Sequence, residues 1–189
     1  MRIDNKLNAV LEVETETMGS VFIHTTPISR DVFKKYFMTI SRTFTALIAE
    51  TVPMAGGPRI AALLLEKIAK DHNEWEGPDG VANGLVAEIR RLTNVMIPSD
   101  NGGWRLVAFQ DILATDILSE DDISEVEGII TFFTCVSAMM RKNDLTKMIL
   151  MLSVWGLRGT SHTCMEFIDS LPKSNRENNS TIQTLSVAS

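Results

Sequence analysis

The chain has 189 residues, 44% hydrophobic and 22% charged, which is enough for one well-buried core and makes a single domain the default. A net charge of -6 and a pI near 5.1 argue against the basic face that a nucleic-acid-binding domain needs, and point to protein partners. The only two cysteines, Cys135 and Cys164, both sit in apolar helical stretches, which argues against a disulfide framework and fits a reducing compartment such as cytosol. Residues 8–14 and 20–25 alternate apolar with polar side chains about the turn candidate Met18-Gly19-Ser20, which predicts a β-hairpin. Ser29 is placed to cap one long amphipathic helix, with Val32, Phe33, Tyr36, Phe37, Ile40, Phe44, Leu47 and Ile48 at helical spacing, ending before Pro53. Gly56-Gly57-Pro58 breaks the chain, and Pro58 suits the first turn of a second helix carrying Ile60, Leu63, Leu64, Leu65 and Ile68. After a polar loop around Trp75, a third helix is expected from about Asp79 to Leu92.

A second hairpin is signalled by residues 94–97 and 104–107 around Pro98-Ser99-Asp100-Asn101-Gly102-Gly103. A short helix from Phe109 to about Leu118 follows. Ser119, with Asp122 in the capping-box position, then opens a helix with Ile123, Val126, Ile130, Phe133 and Val136 in period, ending near Arg141-Lys142-Asn143. Asp144 can cap a helix from Leu145 to Trp155, stopped by Gly156, and Thr163 with Glu166 begins a last short helix. At Leu171 the apolar body ends. Residues 172–189 carry only Ile182, Leu185, Val187 and Ala188 among polar side chains, so a disordered tail is expected. The expected fold is mainly α with two small β-hairpins (α+β): a single compact helical domain over residues 1–171, with a disordered polar tail over 172–189. Residues 1–6 lack the apolar run of a signal peptide, and no stretch approaches the roughly 20 apolar residues of a membrane span.

No constellation identifies a reaction. The acidic cluster Asp116, Glu120, Asp121, Asp122, Glu125 and Glu127 lacks the spacing of a calcium loop, and carboxylates at a helix start already complement the helix dipole. A thiol nucleophile built from Cys135 or Cys164 with His162 is disfavoured, because His162 and Cys164 are two apart and residues so spaced on a helix do not face one another, and buried free cysteines pack as small hydrophobes. Gly56-Gly57 ahead of a helix and Arg59 lacks the Lys of a P-loop, and neither His24 nor His72 has a second ligand at metal spacing. No metal, cofactor or catalytic residue is assigned. Half of the ten methionines, namely Met139, Met140, Met148, Met151 and Met165, lie in one C-terminal region. Flexible thioethers adapt to varied apolar partners, so Met139, Met140, Met148, Met151 and Trp155 are the candidate partner-binding residues, with ordinary core filling the preferred alternative.

The opening Met1-Arg2-Ile3-Asp4-Asn5-Lys6-Leu7, the stretch Phe22-Ile23-His24-Thr25-Thr26-Pro27-Ile28-Ser29-Arg30, and Glu88-Ile89-Arg90-Arg91-Leu92-Thr93-Asn94-Val95 resemble tail assembly chaperones of long-tailed bacteriophages. The acidic segment 118–127 leading into Phe132-Phe133 is similar to that group as well. The resemblance implies an assembly factor of the host cell cytoplasm without enzyme activity. In the family a short product keeps the hydrophobic tape measure protein soluble while tail tube subunits are recruited, and is not retained in the virion. A longer product of ribosomal frameshifting carries an extension toward the tail tube protein. Leu171-Pro172-Lys173 is compatible with such a slip, since it can be encoded as CUC-CCA-AAA. Contact with a long client favours a homo-oligomer. No nucleic acid or membrane partner is expected. The alternatives are a small cytosolic thiol- or metal-dependent enzyme and an adaptor bridging two folded proteins.

Overall fold

A computed structural model describes residues 1–15, 18–49, 58–100, 102–115, 117–140, 144–154 and 158–173. The expected tail disorder beyond Lys173, the Gly56-Gly57 break, Asp116, the helix end at 141–143 and the stop at Trp155-Gly156 lie outside the described residues.

Both expected hairpins form, but they are parts of one sheet. Strands β1 (Arg2–Asp4), β2 (Ala9–Thr15), β3 (Gly19–Thr25), β4 (Thr93–Pro98), β5 (Trp104–Ala108) and β6 (Thr160–His162) are ordered β5-β4-β3-β2-β1-β6. All neighbours pair antiparallel except β1 and β6, which are parallel. The fold is therefore α+β on a six-stranded mixed sheet, which corrects the expectation of a mainly α domain with two small hairpins. The physical reason is distance along the chain. A hairpin is announced by its own turn, whereas the β3–β4 junction joins Thr25 to Thr93, whose hydroxyls hydrogen-bond at 3.1 Å across 68 residues. Strands β1 and β6 have three residues each, too few for a period of two to register.

Alternation then divides the sheet into two faces. Ala9, Leu11, Val13 and Thr15 of β2 point inward with Val21, Ile23 and Thr25 of β3 and Thr93, Val95 and Ile97 of β4. Against this inner face lies α6 (Glu120–Met139), in contact with β2 and with the helices α2 (Phe37–Ala49), α3 (Ala61–Asp71) and α4 (Ala87–Arg91). Sequence periodicity gives α6 one apolar face, but nearly every side chain from Gly128 to Ser137 is buried, as expected of a helix surrounded on all sides. Its polar members are satisfied locally: Thr134 donates to the Ile130 carbonyl at 2.8 Å and Ser137 to the Thr134 carbonyl at 3.2 Å. At Gly128 the chain before α3 crosses so closely that a Cβ would lie 2.4 Å from the Arg59 carbonyl oxygen.

Three of the caps read from sequence are present. Ser29 accepts from the Val32 amide at the start of α1 (Arg30–Lys35), and complete capping boxes join Ser119 to Asp122 and Thr163 to Glu166, the latter opening α8 (Cys164–Ser170). Three helical expectations are corrected. The single long helix after Ser29 is broken at Tyr36 into α1 and α2, because the Tyr36 hydroxyl is anchored outside the helix, donating to the Asp79 carbonyl at 3.2 Å and resting against Gly84. The helix expected from Asp79 begins later, as a π-helical turn (Ala82–Val86) leading into α4, and α5 (Phe109–Ile112) is shorter than expected. Helix α7 (Leu145–Val154) leads back toward β6, and α8 lies on the outer face of the sheet, where Phe167 packs on Val10 and Met96.

Candidate functional site

The candidate methionines are distributed between core and surface. Met148 is fully buried and, with Leu152 one turn on, turns α7 into the core. Met139 and Met140, at the end of α6, are half-buried against the same core. Trp155 and the side chain of Met151 lie outside what is described. What α7 turns outward is Leu150, 60% exposed.

A more continuous apolar surface runs along α1 and α2. Tyr36, Ile40, Thr43 and Leu47 face the core. One residue further round, Phe33, Phe37, Phe44 and Ile48 form a second stripe at helical spacing, with Phe37 43% and Ile48 44% exposed and Phe33 and Phe44 half-buried. The rings of Phe33 and Phe37 meet edge to face, 5.6 Å between centroids, so the stripe continues across the break at Tyr36. Met38 lies beside it, 54% exposed. Charges near its edge are mostly neutralised: Lys34 pairs with Asp31, Lys35 with Asp79 at 2.6 Å, and Arg42 with Glu74 at 3.3 Å. Sequence reasoning placed Val32, Phe33, Tyr36, Phe37, Ile40, Phe44, Leu47 and Ile48 together on one amphipathic helix and left out Met38. The signal it missed was number, since ten apolar residues from Val32 to Ile48 are more than one helix face can bury.

The groups considered for chemistry have structural duties. Cys135 is enclosed in the core, and burial pushes its thiol up to about 12, far from a reactive thiolate. The Cys164 thiol faces Asn5 and Asp4 rather than His162, and burial together with the Asp4 carboxylate raises its pKa. His162 instead hydrogen-bonds Thr160 through Nε2 at 3.1 Å. The acidic cluster is divided among neighbours: Asp122 closes the capping box, Glu125 pairs with Arg59 at 2.9 Å, and the Glu127 carboxylate accepts from Arg90 Nε at 2.9 Å. Among the described residues no group of three or more His, Cys, Asp or Glu is arranged to hold a metal ion, and no helix is long and apolar enough to cross a membrane. His24 is the one strongly perturbed imidazole. It lies on the outer sheet face, its ring 6.1 Å from that of Phe167, and desolvation lowers its pKa to about 4 against a weaker opposing pull from Asp4.

What the arrangement offers is therefore apolar surface on a rigid scaffold, suited to contact with another polypeptide. Comparison with protein-family models, with curated proteins and with solved structures finds no match to this chain.

Proposed function

We propose that this protein is a tail assembly chaperone of the kind made by long-tailed bacteriophages, a non-enzymatic factor of the host cytoplasm. Its client is the tape measure protein, held soluble while tail tube subunits are recruited, and the chaperone is not retained in the virion. The reading rests on the four sequence stretches that resemble that family. One structural observation supports it most directly: the exposed apolar stripe Phe33, Phe37, Phe44 and Ile48 along α1 and α2. A stripe at this spacing suits the apolar face of a client helix laid alongside, with large side chains as anchors and few free charges to desolvate. Met139 and Met140 add adaptable apolar surface at the end of α6. Leu171 packs in the outer cluster, on the face of the sheet away from α1 and α2, so a frameshifted extension begun after Leu171-Pro172-Lys173 would start apart from the stripe that holds the client.

Co-expression with the tape measure protein tests the proposal. The expected result is that the client becomes soluble and co-purifies, and that Phe37→Ser with Ile48→Ser returns it to the pellet while the chaperone itself stays folded. A client whose solubility is unchanged by the intact chaperone, with no co-purification, would sink the reading. An adaptor between folded proteins differs in one respect: it would ignore isolated tape-measure segments, which a chaperone retains.

A further inference from the structure

Strand β5 is one edge of the sheet, and its backbone has a free side. In the β4–β5 hairpin the Ser99 amide donates to the Gly103 carbonyl at 3.0 Å, and from that pair onward hydrogen-bonded and non-hydrogen-bonded pairs alternate. Ile97–Arg105 and Val95–Val107 are thus the bonded pairs, whereas Trp104, Leu106 and Ala108 turn their backbone groups away from β4. The other side of β4 gives the same parity: the Thr26 amide donates to the Leu92 carbonyl at 3.2 Å, which assigns the backbone groups of Asn94 and Met96 to β3. Among the described residues no strand lies beyond β5, and of the outward groups the Ala108 carbonyl alone has another use, at the N-cap of α5.

Natural sheets blunt such edges with very short strands, charge or proline. The opposite edge, β6, has only the three polar residues Thr160-Ser161-His162. Strand β5 has five residues, no proline and a single charge, Arg105. On the outer face, where β2 places the exposed Glu12 and Glu14, β5 places Trp104 and Leu106, both half-buried, and the Trp104 ring meets Phe22 edge to face at 5.0 Å. Phe109 and Ile112 are fully buried in the inner layer, so α5 turns away from the edge instead of covering it.

The strand is its own complement. Outward-pointing groups must meet outward-pointing groups, so an antiparallel second copy pairs Trp104, Leu106 and Ala108 among themselves. A two-fold axis centred on Arg105 sets the two guanidinium groups directly opposite, which is repulsive. Centred on Val107 it carries Trp104 past the strand to Gln110 of α5, and centred on Trp104 it carries Leu106 to Gly102, whose φ of +72° is not extended. Centred on Leu106, all three outward residues find partners: Leu106 meets the partner's Leu106, and Trp104 meets the partner's Ala108, large against small. Arg105 then stands opposite the partner's Val107.

We propose that β5 pairs antiparallel with β5 of a second copy about a two-fold axis through Leu106, joining the two six-stranded sheets edge to edge. Paired residues of antiparallel strands share a face, so both α1–α2 stripes lie on the same side of the joined sheet. The interface uses β5 and is independent of what binds α1 and α2. A seam along one edge strand is small, of the class under about 1,200 Å² that associates reversibly.

Sedimentation velocity of the full chain over the micromolar range measures the association. Ala108→Pro is the decisive variant. Ala108 is exposed, its φ of -63° is the angle proline fixes, and its amide is not used by β4, so the fold loses nothing while the dimer loses a hydrogen bond at each end and takes a ring into the seam. The expected result is a monomer–dimer equilibrium in the natural chain, a dissociation constant at least about tenfold higher in Ala108→Pro, and equal urea midpoints at a dilution where both are monomeric. The register has its own test. In full-length Cys164→Ser, with Cys135 enclosed in the core, Leu106→Cys should give a disulfide-linked dimer on mild oxidation, because directly opposed residues of a bonded pair lie about 5.5 Å apart at Cα, and Arg105→Cys should not. A natural chain that stays monomeric throughout overturns the proposal, as does a dimer that Ala108→Pro leaves intact. Cross-linking by Arg105→Cys as readily as by Leu106→Cys overturns it too.

Discussion

Acid should weaken this fold through His24 before it weakens it through the carboxylates. The unfolded imidazole titrates near 6.5 and the folded one at about 4, because the ring is packed beside Phe167 on the outer face. Between those values the unfolded chain binds the extra proton. Stability therefore rises with pH across this window and is lost as pH falls from about 6.5 toward 4. Integrating the two titrations gives a loss of about 2 kcal/mol at pH 5 and about 3 kcal/mol at pH 4. The ring keeps some contact with solvent although its surroundings are densely packed, so these values are upper bounds. Glu74, Asp79, Glu88 and Glu166 have lowered pKa values from hydrogen bonds to Thr39, Lys35, Arg91 and Thr163, so their contributions are present above the ordinary carboxylate range and fade only below it. The assay is urea denaturation at pH 7 and pH 5 for the natural chain and His24→Gln, in which the carboxylate contributions cancel. The natural chain should lose more stability, by about 1 to 2 kcal/mol. Equal losses in the two proteins would refute the assignment.

Three further outcomes follow from close packing. Gly128→Ala places a Cβ 2.4 Å from the Arg59 carbonyl oxygen, a backbone atom that cannot step aside, so urea denaturation should show a loss of about 1 to 3 kcal/mol or more. Gly84→Ala places a Cβ 1.6 Å from the Tyr36 hydroxyl, whereas Tyr36→Ala removes the obstruction, so a double-mutant cycle should be non-additive by more than about 0.5 kcal/mol. Cys135 should stay unlabelled by iodoacetamide at pH 8 under native conditions and react fully in urea, as read by mass spectrometry, since its buried thiol ionises only at about 12.

Local signals in the sequence proved sufficient for local structure. The turn at Gly19, whose φ is +71°, and the caps at Ser29, Ser119 and Thr163 each involve residues within four positions of one another, and each is found where the sequence placed it. The joining of the hairpins depended on Thr25 meeting Thr93, and closure by β1 and β6 on Arg2 meeting Thr160, neither of which leaves a periodic trace. The break at Tyr36 depends on a hydroxyl reaching a loop more than forty residues away, so propensity along α1 and α2 could not show it. The same limit applied to the candidate surface. Met148 and Phe37 are both large apolar residues at helical spacing, and only the packing of α7 and α2 puts the first in the core and the second at the surface. The acidic segment at α6 was legible because its role is local, capping with Ser119, although the Arg59 and Arg90 partners were not.

The most direct test of the proposed function is calorimetric titration of a purified apolar helical segment of the tape measure protein into the full-length chaperone, at low salt and at about 1 M salt, where charge interactions are screened to about 3 Å. Binding through the stripe on α1 and α2 predicts an affinity little changed by salt and weakened about tenfold for each of Phe37→Ser and Ile48→Ser, as expected for losing an apolar anchor. Absence of binding by the intact chain, or an affinity that both substitutions leave unaltered, would contradict the account.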